Sequence, residues 1–219
     1  MKLNLIISVF LFIACSNAYQ KDSEQIIHDD ESLVLNEAVV KIEHEGPRGG
    51  FYVNTVGEKF RYVVFASQFS NDGQRTLKLN IGFPDSPVKL EPDTSLKVEV
   101  ILVPEGFTPD RKKDSLNFGL HLEDYFELAE RENAKKELIL SPNESKTIYS
   151  LVLFGSNFES GISRSKLFVE GQDHDGPFYQ VRSSQIYSLK EAEASFMFGF
   201  SFDPPNNHVL IPCGTISLD

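Results

Sequence analysis

The dominant pattern along the chain is an apolar residue at every second position. Leu77, Leu79, Ile81 and Phe83 alternate with Lys78, Asn80 and Gly82, and Phe196, Phe198, Phe200 and Phe202 alternate with Ser195, Met197, Gly199 and Ser201. Successive side chains of a strand point to opposite faces, so each run predicts a strand with one face on a core. The four phenylalanines make the strongest stripe. Phe has no polar handle, so packing between sheets is expected of them rather than ligand stacking. Phe60–Ala66 is apolar on both faces, and so is the end of the run Leu96–Val103, where Ile101 and Val103 join Val98, Val100 and Leu102. Such runs predict interior strands covered on both sides.

Turn residues punctuate these runs at Gly46-Pro47-Arg48-Gly49-Gly50, Asn71-Asp72-Gly73, Phe83-Pro84-Asp85-Ser86-Pro87, Ser141-Pro142-Asn143 and Asp203-Pro204-Pro205-Asn206-Asn207. Asn71-Asp72-Gly73-Gln74 reads as a hairpin turn. Strand windows are predicted near 38–45, 51–56, 60–69, 75–83, 95–103, 115–122, 136–140, 146–154, 165–170, 177–182, 195–202 and 208–213. A short surface helix is predicted after the 115–122 strand. There Leu122, Tyr125, Phe126 and Ala129 share a helical face, with Glu123 and Asp124 in the first turn and Lys135 and Lys136 at the end, as the helix dipole favours. Ser188–Ser195 carries the composition of another helical turn. Many short strands with polar turns and little helix predict an all-β fold, a β-sandwich over residues 38–219. A division near 105–114 would leave too few strands on each side for a closed core, so one domain is expected.

Two stretches sharpen this. "ELILSPNESKTIYSLVLFG" and "FRYVVFASQFSNDGQRTLKLNIGF" resemble the strand–turn–strand and preceding hairpin of immunoglobulin-like domains in bacterial envelope proteins. The resemblance implies that fold and a binding or scaffolding role, and no catalytic residues.

The amino terminus has a different pattern. Lys2 precedes an apolar run from Leu3 to Ala14, too short to span a hydrocarbon core, which takes about 20 helical residues. It reads as a secretory signal. Phe12-Ile13-Ala14-Cys15 resembles the lipobox of bacterial lipoproteins, which implies cleavage before Cys15 and acylation of that cysteine. The alternative is cleavage after Ala18, which leaves a secreted or periplasmic chain. In the lipoprotein reading residues 1–14 are the signal, and 15–37 form an acidic tether carrying Asp22, Glu24, Asp29, Asp30, Glu31 and Glu37 against Lys21. The location expected is the cell envelope, with membrane attachment through the acyl anchor.

Charge narrows the partners. The formal net charge is −11, becoming −12 once Lys2 is removed, which disfavours nucleic acid. An envelope protein or a glycan is the partner class expected. With Cys15 acylated or cleaved away, Cys213 is the remaining cysteine. It follows Val209 and Ile211 at alternate positions and reads as a small buried hydrophobe rather than a nucleophile.

Candidate chemistry is sparse. Gly-x-Ser-x-Gly, His-Glu-x-x-His and phosphate-binding glycine loops do not occur. Asp173 and Asp175 around His174 could offer oxygen ligands to calcium, without the third acid and closing Glu of the twelve-residue loop. A solvated turn is the competing reading, and no cofactor is implied. A polysaccharide-active jelly roll is the enzymatic alternative. It would draw on His121, Tyr125, Tyr149, Arg164, His174, Tyr179 and Arg182, which no spacing gathers into a set. Asp114-Ser115-Leu116 resembles a bacterial O-glycosylation acceptor at Ser115, and Asn143-Glu144-Ser145 is an N-glycosylation pattern at Asn143. The expectation is a non-enzymatic, lipid-anchored binding or structural protein, with the enzyme and a calcium-stabilised module as alternatives.

Overall fold

The both-faces-apolar run at 60–66 lies in the middle of a sheet that is covered on both sides. A computed structural model describes residues 38–111, 115–131, 133–155, 158, 161–172, 176–189 and 192–218, all within one compact unit, Leu35–Asp219. The signal, the acidic tether and Cys15 lie outside the described residues, as do Asp173, His174 and Asp175.

The chain is nearly all β, in two antiparallel sheets. Sheet A contains β1 (Ala38–Val53), β2 (Lys59–Asn71), β4 (Val88–Lys89), β5 (Lys97–Leu102), β7 (Ser145–Phe154) and β9 (Arg182–Leu189), in the order β4-β5-β7-β2-β1-β9. Sheet B contains β3 (Leu77–Gly82), β6 (Lys135–Leu140), β8 (Ser163–Val169), β10 (Glu193–Phe202) and β11 (Asn207–Leu218), in the order β6-β3-β11-β10-β8. The predicted stripes meet between the sheets. Val40, Ile42, Phe65, Phe69, Val98, Val100 and Val152 from sheet A share one buried cluster with Leu77, Leu79, Ile81, Leu140, Leu167 and all four phenylalanines of β10. Phe69 meets Phe196 edge-on at 5.6 Å, and Phe83 meets Phe198 at 5.2 Å. Each fully buried side chain of this kind stabilises the fold by about 2–3 kcal/mol. Cys213 is buried in the same cluster, and burial pushes its thiol far up.

The second cover lies on the outer face of sheet A. The connection from β5 to β6 contains a 3-10 turn (Glu105–Phe107) and α1 (Leu122–Phe126), and it lays Phe118, Leu120, Leu122, Tyr125 and Phe126 over Phe60, Val64, Ile101, Tyr149 and Leu151. Phe126 is the hub of this layer, stacked on Phe60 at 4.7 Å and 10°. The layer covers only the β5, β7 and adjoining β2 part of the face, around residues 60–66 and 149–153.

Five expectations need correction. Gly46–Gly50 does not end a strand. Glu45 stays paired with Ala66 and Arg48 with Val64, so the segment is a bulge within one long strand that takes in residues 51–53 of the 51–56 window and leaves 54–56 to the turn after it. Asn71-Asp72-Gly73 is not a hairpin turn, because β2 and β3 belong to different sheets and it carries the chain between them. Residues 115–121 are turns, not a strand. Phe118 has φ +60° and Leu116 is exposed, and burial of Phe118 and Leu120 against sheet A accounts for the alternation. Residues 177–181 are irregular, and in place of a helical turn near 188–195 are the end of β9 and the start of β10.

Candidate functional site

The half of sheet A left open by the outer layer carries a polar depression of about 430 Å³. Strand register builds its floor. Thr147 on β7 lies opposite Gln68 on β2, Gln68 opposite Glu43 on β1, and Glu43 opposite Ser184 on β9. The next row runs Tyr149, Ala66, Glu45 and Arg182 across the same four strands. Paired residues share a face, and Ile148 in the row between them and Phe69 and Ile42 in the row before them enter the core, so both rows point outward. Ala66 is the small residue of its row, set between Tyr149 and Glu45, and the floor dips there.

The charged groups of the site are paired with each other. The Glu45 carboxylate accepts from the guanidinium of Arg48 and, at 3.4 Å, from that of Arg182. Arg48 also donates to the Ser115 carbonyl at 2.8 Å and lies 4.3 Å from the Phe118 ring centroid, which joins the outer layer to the rim. Lys41 pairs with Glu43 at 3.0 Å. Burial first, and then the charge of Glu45, holds the Tyr149 phenol above its usual range. The side chains of Gln68, Thr147 and Ser184 make no hydrogen bond among the described residues. The hydroxyl of Ser183, another residue of the lining, is buried without a partner.

Beneath the floor, the His44 ring turns into the core and its Nδ1 lies 3.1 Å from the Ser67 hydroxyl. Burial lowers its pKa to about 4, with the nearby Lys166 charge adding to the effect and the Leu167 backbone opposing it. This pair is enclosed by both sheets. A second depression, of about 610 Å³ and more apolar, opens between β3, β6 and β11 beside Ile81, Phe83, Lys135 and Pro212.

The residues singled out in the sequence are dispersed. Arg182 lies opposite Glu45, and Tyr149 lies in the same row beyond Ala66. His121 is exposed just before α1, and Tyr125 is buried in the outer layer, where burial pushes its phenol up to about 12. Arg164 lies on β8. Tyr179 packs on the outer side of sheet B at Gly199, where an added Cβ would lie 2.1 Å from its hydroxyl. Ser115 is exposed and its hydroxyl bonds Asn117 at 3.2 Å. Asn143 is exposed at φ +63° in the turn between β6 and β7. Among the described residues, no three of His, Cys, Asp and Glu are grouped to hold a metal, and no helix is long and apolar enough to cross a membrane.

Sequence reasoning missed Glu43, Glu45, Ala66, Gln68, Thr147 and Ser184. They come together only through cross-strand register, which leaves no local signature. Comparison with known proteins adds no analogue, as no family model, curated protein or solved structure matches the chain.

Proposed function

We propose that this chain is a non-enzymatic protein of the cell envelope, exported and anchored through acylated Cys15. In this reading an immunoglobulin-like β-sandwich binds a protein or glycan partner on the open half of sheet A. The observation that carries the reading is the depression itself: a rigid floor from four paired strands, with amide and hydroxyl groups left without partners. The neighbouring β9 supports it. It is an eight-residue edge strand, Arg182–Leu189, that carries no charge after Arg182 and exposes Ile186. The other edge of sheet A is the two-residue β4, and β6 at the edge of sheet B bears Lys135, Lys136 and Glu137. Short or charged edges resist pairing, and β9 uses neither device after its first residue.

Photo-crosslinking in cells tests the binding role. A benzophenone amino acid at position 184 of the full chain is expected to give a defined adduct that the same group at exposed position 95 does not. Equal adducts from both positions, or none from 184, would remove the reading. The anchor is tested separately: radiolabelled palmitate is expected in the wild type and not in Cys15→Ala, and equal labelling of the two would exclude it.

A further inference from the structure

Resting on that binding role, we propose that the depression on sheet A is a saccharide site, selective for uncharged sugars. The charge pattern selects the class. Glu45 is committed to Arg48 and Arg182, and Glu43 to Lys41, so among the described residues the site offers neither a free cation to an anion nor a free carboxylate to a cation. Unsatisfied hydrogen-bonding capacity remains: the Gln68 amide supplies donors and an acceptor, and the Thr147 and Ser184 hydroxyls each supply both. A ligand that satisfies such groups must itself donate and accept at several closely spaced points, as a ring of hydroxyls does.

The spacing fits as well. Thr147, Gln68, Glu43 and Ser184 stand on four adjacent strands, and neighbouring strands lie about 4.8 Å apart, so the row presents polar groups at intervals comparable to a pyranose ring. The ion-paired carboxylates of Glu43 and Glu45 retain lone pairs that can accept from sugar hydroxyls. Ile186, opposite Lys41 and one row beyond Glu43, is 64% exposed and gives the C–H face of a sugar an apolar contact. The volume, about 430 Å³, falls within the ~300–1,000 Å³ common for small-ligand sites.

The test uses the full chain in detergent on an array of neutral gluco-, manno-, galacto- and N-acetylglucosamine oligosaccharides beside uronates and sulfated sugars. Binding to a neutral sugar is expected, with amide NMR shifts concentrated at Gln68, Thr147 and Ser184. Gln68→Ala is expected to weaken it about tenfold, the loss of one well-made hydrogen bond to the ligand. Ala66→Leu, which fills the dip, is expected to abolish it. Should Ala66→Leu not fold, Gln68→Ala and the NMR map decide alone. An empty array, binding to charged sugars only, or binding that both variants leave unchanged would overturn the saccharide site. An empty array together with a protein adduct at position 184 would sink the sugar and leave the binding role standing. An empty array with no adduct would remove both.

Discussion

The side-chain amide of Asn71 donates to the carbonyl oxygen of Leu140 at 2.9 Å, and this contact ties together two of the places where the chain steps between the sheets. Asn71 ends β2 and opens the crossing to β3, and Leu140 ends β6 and opens the crossing to β7. The same amide donates to the Arg75 carbonyl at 2.7 Å, and its oxygen accepts from Gly73 N–H at 3.0 Å. The Asn71 backbone carbonyl accepts from Asn143 and its N–H donates to Glu144. One fully buried side chain thus satisfies polar backbone in both corners. Replacing it by Ala leaves buried carbonyls unpaired, and Asn71→Ala is expected to lower stability by about 2–4 kcal/mol. Urea unfolding should show a lower midpoint at unchanged slope. A loss under ~1 kcal/mol would mean that water replaces the amide.

These two crossings also mark where sequence reasoning stopped. The stripe at 196–202 and the doubly apolar run at 60–66 were legible, because burial on one or both faces imprints directly on residue type. Which sheet a strand joins is not imprinted. Asn71-Asp72-Gly73 has the composition of a hairpin turn whether its strands pair or diverge, and the deciding contact, to Leu140, lies 69 residues away. Gly46–Gly50 looks like a turn because bulge and turn use the same residues, and only continued pairing of Arg48 with Val64 distinguishes them. Of the residues that line the depression, the sequence singles out Arg182 as a reactive type. Gln68 and Thr147 are ordinary strand residues until register sets them side by side.

Gly214 lies beside the bulge in the β10–β11 ladder at φ +139°, and an added Cβ would meet the Asn80 carbonyl oxygen at 1.8 Å. That oxygen belongs to paired backbone of β3 and cannot give way. Gly214→Ala is expected to cost at least ~3 kcal/mol or to prevent folding. At Gly50 an added Cβ meets nothing within 4 Å, so Gly50→Ala should stay within ~0.5 kcal/mol of the wild type. Thermal melts of the two variants check the contrast, and equal melting temperatures would contradict it.

Glu127 fastens the outer layer to the tip of the β1–β2 hairpin. Its carboxylate accepts from the Thr55 hydroxyl at 2.5 Å, from the Tyr52 hydroxyl at 2.5 Å and from the Thr55 N–H at 3.1 Å. Hydrogen bonds from Thr55 first, and then from Tyr52, hold its carboxyl below the usual carboxylate range. The Tyr52 phenol is pushed up to about 12 by the same bond. In a carbon-detected NMR titration, Glu127 should therefore titrate below an unperturbed glutamate and move back toward it in Thr55→Ala. Glu127→Ala should speed amide exchange at Thr55 while leaving β10 unchanged. A Glu127 midpoint at the ordinary value would show that the clasp does not hold in solution.

His44 should make the fold sensitive to mild acid. Its pKa is lowered to about 4 in the folded chain, chiefly by burial, against about 6.5 when unfolded. Below pH 6.5 the unfolded state takes up a proton that the folded state refuses. Stability from this group is therefore complete above pH 6.5, falls as pH drops from 6.5 to 4, and falls no further below 4. The full loss is on the order of 3 kcal/mol. Carboxylates held low, such as Glu127, also destabilise the fold on acidification, so the informative quantity is a difference between two proteins. His44→Gln keeps a polar group near Ser67 without a titrating ring, and its urea midpoints measured between pH 7.5 and 4 should fall less steeply than those of the wild type. The gap between the curves should open below pH 6.5. Parallel curves over that range would mean that His44 is protonated in place, with the Lys166 charge and the enclosing sheets adjusting to it.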